Sequence, residues 1–299
     1  VCFDGNTGNI KWKIDHKGGF YWAGGLIYND YLVVGSDNGD DGSSGNSQNS
    51  DYDLSTLYVI NKRTGDIIDS QKTLVGDQRG GIVNCNGILY FTTKAGYLYK
   101  AEVNQDGKIE KLEGKEYVRG LQSTSTPVVY HDRVYFGLGA GYANTGRQFV
   151  LIAKADTLEE IYRAPMKGYP QGSGLLSTAY EGEDGTAYIY FTYNRPPGGV
   201  TLLKDKPGQE NPVVEELYIP EEEKQQYCLS SIISDTDGTL YYINDSGNLF
   251  ALEKNEAFLN NITLVDNMQN SVQLRKSKGD ASSSGFSGGY LNYYAVTDK

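Results

Sequence analysis

The sequence predicts an all-β chain, a β-propeller of about five to six four-stranded antiparallel blades. The first observation behind this prediction is the composition, because 299 residues include 37 Gly and 25 Tyr but only 2 Met. Such a mixture favours short strands joined by tight turns over long helices. The second observation is an internal repeat of strand, glycine turn and strand. One repetitive all-β domain of this length is ordinary.

The repeat is clearest when its turns are aligned. Residues 1–14, VCFDGNTGNIKWKI, match residues 57–69, LYVINKRTGDIID, and residues 98–112 follow the same pattern. Glycine supplies the positive φ that a tight hairpin needs, and alternating apolar residues give each strand one buried face. Two more short strands precede a complete hairpin, so each unit predicts one four-stranded blade. The turn glycines are Gly8, Gly65 and Gly107.

Later units extend the pattern over residues 126–165, 175–219 and 228–253. Five units contain their first three strands, whereas residues 1–14 supply only a third and a fourth strand. A half blade would leave a strand edge bare, and bare edges aggregate. We therefore expect an N-terminally incomplete propeller that further chain upstream completes. The alternative is a ring closed by C-terminal strands that pair with residues 1–14.

The pattern changes near residue 257, which divides the chain into a propeller, 1–256, and a C-terminal segment, 257–299. This segment contains FLNNITLVDN, a polar run and GFSGGYLNYYAVTDK. It resembles the opening strands of a small cadherin-like or immunoglobulin-like β-sandwich, and we expect a small β appendage. The alternative is a strand that closes the last blade, followed by a tail packed on the ring.

Charge and cysteine content exclude several classes of function. The chain has 38 acidic against 27 basic residues, a net charge of −11, which would repel a phosphate backbone and excludes nucleic acid as a partner. No apolar run approaches the ~20 residues of a membrane-spanning helix. Cys2, Cys85 and Cys228 are too scattered for a zinc site or a disulfide scaffold. We expect Cys2 and Cys228 to be small buried hydrophobic residues.

Residues 2–12 contain a recognisable blade signature, Ala-x-Asp-x-x-x-Gly-x-x-x-Trp. Asp4, Gly8 and Trp12 occupy its defining positions, and Cys2 replaces the small alanine. On these residues the chain resembles the PQQ-like β-propeller repeat family, the family of the quinoprotein alcohol dehydrogenases. The resemblance covers residues 1 to about 256, and it implies that the tryptophan packs between blades.

The chain departs from the family's pattern at residues linked to the family's cofactor, pyrroloquinoline quinone (PQQ). The following two units have Asp69 and Lys111 where the signature has tryptophan. The family's alcohol dehydrogenases hold a calcium ion and place two adjacent cysteines against the quinone, and this chain has no adjacent cysteines. We therefore expect a member of the repeat family that binds no PQQ.

A binding site is predicted where the loops leading into the first strand of each blade meet at the central channel, because function usually lies on such loops. These five inner loops are residues 16–25, 75–81, 118–127, 167–174 and 225–231. Their aromatic, amide and guanidinium side chains suit sugar or peptide recognition. The alternative is that these side chains pack between blades or are solvated. The candidate ligand-binding residues are Trp22, Arg79, Arg119, Gln122, Tyr169, Gln171 and Tyr227.

The longest insertion, residues 36–53, is acidic and lies on the same predicted face. Several carboxylates in one loop offer the hard oxygen ligands that calcium prefers. The loop does not match the EF-hand pattern, and the alternative is a disordered acidic loop. The candidate calcium ligands are Asp37, Asp40, Asp41, Asp51 and Asp53.

The predicted function is a non-catalytic binding or scaffold propeller of a secreted or cell-surface bacterial protein, a monomer whose loop face recognises polysaccharide or protein. The sequence contains neither G-x-S-x-G nor H-E-x-x-H, and its only histidines are His16 and His131. One alternative is an enzyme, either a degenerate quinoprotein or a lyase or hydrolase acting on glycans through a carboxylate pair. Another is an assembly scaffold like the outer-membrane lipoprotein propellers.

Overall fold

The predicted all-β propeller architecture is confirmed by the computed structural model, which describes residues 1–16, 18–37, 53–140, 146–179 and 181–253. Within these ranges the strands form one two-stranded, four four-stranded and one three-stranded sheet, and consecutive strands of each sheet pair antiparallel. The secondary structure outside the sheets is one short 3-10 turn, Glu222–Lys224. No helix in the described ranges is long and apolar enough to cross a membrane.

The chain begins with the predicted half blade and continues into two complete blades. The half blade pairs β1 (Cys2–Phe3) with β2 (Ile10–Trp12). Blade 1 consists of β3 (Leu26–Tyr28), β4 (Tyr31–Gly35), β5 (Leu54–Asn61) and β6 (Ile67–Val75). Blade 2 consists of β7 (Val83–Cys85), β8 (Ile88–Thr92), β9 (Tyr97–Val103) and β10 (Ile109–Glu116).

Two more complete blades and a three-stranded sheet follow. Blade 3 consists of β11 (Val128–Tyr130), β12 (Arg133–Leu138), β13 (Phe149–Lys154) and β14 (Glu160–Pro165). Blade 4 consists of β15 (Leu175–Ser177), β16 (Ala187–Thr192), β17 (Val200–Asp205) and β18 (Val213–Tyr218). Blade 5 contains β19 (Ile233–Ser234), β20 (Leu240–Ile243) and β21 (Leu249–Leu252). The predicted C-terminal segment, 257–299, lies outside the described residues.

The first strand of blade 5 is shorter than the sequence pattern predicts. The apolar run 228–233 indicates a strand, but β19 begins only at its last residue, Ile233. The residues before it pack against blade 4 instead, where Cys228 and Ile232 are buried in the hydrophobic cluster between the two blades. Thr192 at the end of β16 donates a hydrogen bond to the Ser230 carbonyl at 2.5 Å. The bond ties Ser230 to blade 4 in the same way that the bond from Thr92 to the Ser125 carbonyl ties blade 2 to the loop before blade 3.

The hydrophobic core is a series of layers between neighbouring blades. Between blades 1 and 2, for example, Val33 and Leu57 of one sheet meet Leu89 and Phe91 of the next. Similar clusters lie between blades 2 and 3, 3 and 4, and 4 and 5. Each sheet buries apolar side chains against the blades on both sides. The folding stability of a blade therefore depends on contact with its neighbours.

Trp12 joins the half blade to blade 1 as the blade signature predicts. Its indole Nε1 donates a hydrogen bond to the Lys62 carbonyl at 3.2 Å. Its ring covers the turn glycine Gly65, where an added Cβ would lie 2.7 Å from the Trp12 Cγ. The positive φ of Gly65, 82°, favours glycine for a second reason. The turn is therefore shaped by both its backbone and the ring above it.

Other residues replace this tryptophan at later interfaces. Between blades 1 and 2, Tyr31 covers Gly107, and Asp69 accepts a hydrogen bond from the Ile109 amide at 2.9 Å. Between blades 3 and 4, the buried carboxylate of Asp205 links the two blades. It accepts hydrogen bonds from Arg133 at 2.9 Å, Tyr135 at 2.6 Å and Tyr162 at 2.5 Å.

The tryptophan contact predicts different costs for two otherwise similar substitutions. Gly65→Ala should lower the unfolding free energy by more than Gly8→Ala, by about 1–3 kcal/mol. Both glycines have positive φ, but an added Cβ at Gly8 meets nothing within 4 Å. Urea denaturation of the two variants measures the difference. Repeating both in a Trp12→Ala background should remove it, and a persistent difference would show that Trp12 is not the cause.

Candidate functional site

The five inner loops meet in a continuous seam, as the sequence predicts. Each loop is hydrogen-bonded to the loop of the next blade through a backbone or hydroxyl group of a small residue. Small residues suit this position because the backbones approach closely. An added Cβ on Gly24, for instance, would lie 2.8 Å from the Gly81 Cα. The bonds join Gly24 to Gly80 at 3.1 Å, Gly81 to Thr126 at 2.6 Å, Ser125 to Gly172 at 3.0 Å and Ser173 to Ser231 at 2.9 Å.

The seam brings one residue of each loop into an equivalent position, four residues before the first strand of the blade. We call these five residues the mouth set. Two contacts between neighbours are seen, since the Arg79 guanidinium lies 5.9 Å from the Trp22 ring centroid and Gln171 Nε2 lies 3.5 Å from Thr124 Oγ1. The mouth set consists of Trp22, Arg79, Thr124, Gln171 and Leu229.

Three of the predicted ligand-binding residues, Trp22, Arg79 and Gln171, therefore occupy equivalent positions in their respective blades. The sequence prediction omitted the other two members of the mouth set, Thr124 and Leu229. Thr124 carries little signal within a loop that is rich in serine and threonine, but counting back four residues from the first strand would have found it. Leu229 belongs to the apolar run that predicts a strand, so its place in the loop depends on the true start of β19.

An exposed pair of aromatic rings marks blade 1 at the mouth. The Tyr21 and Trp22 rings stack with centroids 5.0 Å apart and planes 19° apart, and their exposed fractions are 42% and 40%. The Arg79 guanidinium lies 4.9 Å from the Tyr21 centroid. Trp22 has φ of 61°, a left-handed conformation that a bulky residue adopts at a cost of about 1–3 kcal/mol. Such strain is typical of functional positions.

Two carboxylates hold the arginine beside this ring pair. Asp77 Oδ2 accepts hydrogen bonds from Arg79 Nε at 3.1 Å and from Nη2 at 2.6 Å. The same Nη2 lies 3.4 Å from Asp37 Oδ2. Since the Arg79 side chain is only 8% exposed, its charge is largely neutralised within the cluster.

Asp37 is the unusual member of this cluster. Its Oδ1 is buried without a hydrogen-bond partner. Burial and the nearby Asp77 carboxylate together raise the pKa of Asp37 to about 7, against the lowering effects of Arg79, the Tyr21 backbone amide and Lys94. A carboxyl group in this state is partly protonated near neutral pH.

The remaining predicted ligand-binding residues have different environments. Gln122 exchanges two backbone hydrogen bonds with Gly139, at 2.8 and 3.1 Å. Tyr169 is buried and packs on the same glycine, where an added Cβ would lie 2.6 Å from its ring. Tyr227 is exposed, and its carbonyl accepts a hydrogen bond from the Asp245 amide at 2.9 Å. Arg119 is exposed and pairs with Glu116 at the end of β10, at 3.5 Å.

The predicted calcium ligands fall into two groups. Asp40, Asp41 and Asp51 lie outside the described residues. Asp37 is buried beside Arg79, whereas Asp53 is exposed at the start of β5, and its carbonyl accepts a hydrogen bond from the Gly76 amide at 2.8 Å. Within the ranges that the structure describes, no group of three or more His, Cys, Asp or Glu side chains could hold a metal ion.

The described residues also do not fit the quinone and calcium of the PQQ-like family. The mouth carboxylates Asp37 and Asp77 are both paired with Arg79, whose positive charge would repel a calcium ion bound beside them. Cys2, Cys85 and Cys228 lie on different blades as free thiols, so no two of them can face one ring together.

The two cysteines expected in the core differ in their burial. Cys228 is buried as predicted, and its thiol donates to the Ile243 carbonyl at 3.1 Å. Cys2 is only half-buried, because it lies in the half blade, where β1 has a single partner strand.

Comparison with known proteins supports the fold. No family model matches the chain, and no curated protein sequence matches it. The quinohemoprotein alcohol dehydrogenase from Comamonas testosteroni is similar in structure with a TM-score of 0.55 and 13% identity, over 84% of this chain and 43% of that one. This chain thus spans less than half of that enzyme. The similarity supports a quinoprotein-like propeller fold.

Two further structures align over most of this chain. A europium-containing methanol dehydrogenase has a TM-score of 0.48 and 15% identity, over 77% of this chain and 48% of that one. BamB from Moraxella catarrhalis has a TM-score of 0.41 and 13% identity, over 76% and 60% of the respective chains.

The buried Asp37 predicts a pH-dependent stability. Its pKa is raised from 3.8 to about 7, so the folded protein binds more protons than the unfolded chain between these values. The unfolding free energy should therefore fall as pH rises through this window. Asp37→Asn should remove this part of the slope, so that the variant gains stability relative to wild type between about pH 5 and pH 8. Urea denaturation at several pH values across this range measures the unfolding free energy of both proteins. The same pH dependence in wild type and Asp37→Asn would contradict the raised pKa of Asp37.

Proposed function

We propose that this chain is a non-catalytic binding propeller that holds its partner at the channel mouth. The observation that carries the proposal is the arrangement of the mouth set, in which residues at equivalent positions of five blades follow the seam of the inner loops, with an exposed aromatic pair at blade 1. Aromatic side chains with neighbouring polar groups provide both contact area and orientation for a ligand. The strained backbone of Trp22 supports a functional position for this ring.

The proposed partner is a polysaccharide or a protein outside the cytoplasm. We propose that this chain is part of a secreted or cell-surface protein and acts as a monomer. The net charge of −11 disfavours nucleic acid as the partner. The proposed function includes neither PQQ nor calcium.

A catalytic function has less support at this site. General acid–base chemistry needs carboxyl groups that can exchange protons with a substrate. Among the residues that the structure describes, Asp37 and Asp77 are the acidic residues of the cluster beside the ring pair, and both are buried and paired with Arg79. Their geometry suits support of the aromatic rings better than proton transfer to a ligand.

The proposal predicts unequal effects of two substitutions on binding. A glycan and peptide array with wild type first identifies a ligand, which is then titrated against Trp22→Ala and Arg119→Ala. Trp22→Ala should weaken binding by about 2 kcal/mol, because a stacked aromatic contact is lost. Arg119→Ala should weaken it by less than about 1 kcal/mol, because its ion pair is exposed on the rim. Unchanged affinity in both variants would place the binding site elsewhere.

A further inference from the structure

The charges beside the Tyr21–Trp22 ring pair restrict the class of ligand. Arg79 is the cation that the described part of the chain places next to both rings, and its guanidinium is already bound by Asp77 and faces Asp37. An anionic ligand would compete with two buried carboxylates for this arginine. A cationic ligand on the rings would approach the guanidinium itself. Neither sign of charge is favoured, so the cluster suits an uncharged ligand.

The other three members of the mouth set, Thr124, Gln171 and Leu229, carry no charge. Thr124 and Gln171, on the two blades after Arg79, carry a hydroxyl and an amide that contact each other at 3.5 Å, and Gln171 Oε1 also accepts a hydrogen bond from Asn194 Nδ2. Hydroxyl and amide groups both donate and accept hydrogen bonds, and ligand hydroxyl groups match them without any ion pair. Leu229, on the last blade, is half-buried and apolar. The mouth therefore combines apolar surface with neutral hydrogen-bonding groups.

The unpartnered Oδ1 of Asp37 is a second, independent indication of a ligand. Asp37 is 1% exposed, and a buried carboxylate oxygen without a partner is costly. The Tyr21 backbone amide lowers the pKa of Asp37, so the carboxyl lies close to the backbone that carries the ring pair.

We propose that the channel mouth binds an uncharged polysaccharide, with one pyranose ring on the Tyr21–Trp22 pair and adjoining sugars on Thr124 and Gln171. A pyranose ring has an apolar CH face and equatorial hydroxyl groups, which is the combination that the mouth complements. This inference rests on the proposed binding function and narrows its partner to one class. Arg79 acts as a positioning residue, which holds the rings from behind while its charge is neutralised.

The experiment is calorimetric titration of the intact chain with defined probes. The uncharged probes are cellohexaose, mannohexaose and chitohexaose, the acidic probe is hexagalacturonate and the cationic probe is an oligolysine peptide. At least one uncharged probe should bind, and its affinity should change less than about twofold between about 50 mM and about 500 mM NaCl, because no ion pair forms. The charged probes should not bind at the mouth.

Trp22→Gly is the informative variant. Glycine adopts the positive φ of this position without strain, so the fold should keep its thermal unfolding midpoint while affinity falls at least about tenfold. Trp22→Phe should recover most of the affinity, because it restores an aromatic face. Gln171→Ala should lower affinity about threefold or more. Phe3→Ala is the control, because it removes an exposed ring of the half blade and should leave the affinity for the probe unchanged.

The outcomes separate this inference from the proposed function. Mouth-dependent binding of hexagalacturonate or oligolysine would overturn the uncharged class and leave the binding function standing. Binding of an uncharged probe that Trp22→Gly leaves intact would overturn both. If no probe binds but a protein partner does, and Trp22→Gly weakens that complex, the polysaccharide inference is wrong and the binding function is retained.

Discussion

The close approach of one blade to the next is the constraint on which the rest of this structure depends. An added Cβ on Gly137 would lie 1.7 Å from the Pro170 carbonyl oxygen, and one on Gly198 would lie 2.0 Å from that of Gln226. Backbone is thus packed directly on backbone around the channel. Because side chains cannot fill these positions, the angle between blades and the width of the mouth are set by glycine and by small hydroxyl residues.

Away from the channel, the blades are held together by contacts that differ from one interface to the next. Trp12 covers a turn glycine at the first interface, Tyr31 does so at the second, and a buried carboxylate, Asp205, joins three donors at a later one. Each solution fills space over the next blade and satisfies a polar group there. A repeat protein can vary such contacts independently, because each interface involves only two neighbours.

At the mouth, the same architecture yields an asymmetric site from a repeated position. The mouth set occupies one equivalent place in five blades, but its members differ in size and polarity, from Trp22 to Thr124 and Leu229. The strained and exposed ring of Trp22 is next to a buried arginine with two carboxylates. An aromatic surface at one side and smaller uncharged groups at the other match the extended, uncharged ligand proposed for the mouth.

The propeller fold, the half blade and the docking of Trp12 could all be predicted from the sequence, because each depends on local signals. Glycine turns, alternating apolar residues and a short signature repeat at nearly regular spacing, and all act within one blade. The sequence also indicated Trp22, Arg79 and Gln171. Only the tertiary structure decided which residues meet. It buried Tyr169 against Gly139, paired Arg79 with Asp37 and Asp77, and placed Arg119 beside Glu116. The contacts of Tyr169 with Gly139 and of Arg79 with Asp37 join residues of neighbouring blades, whose relative positions are set by packing that no single repeat encodes. The pairs of Arg79 with Asp77 and of Arg119 with Glu116 are local, but the charged pattern alone did not show which partner each arginine takes.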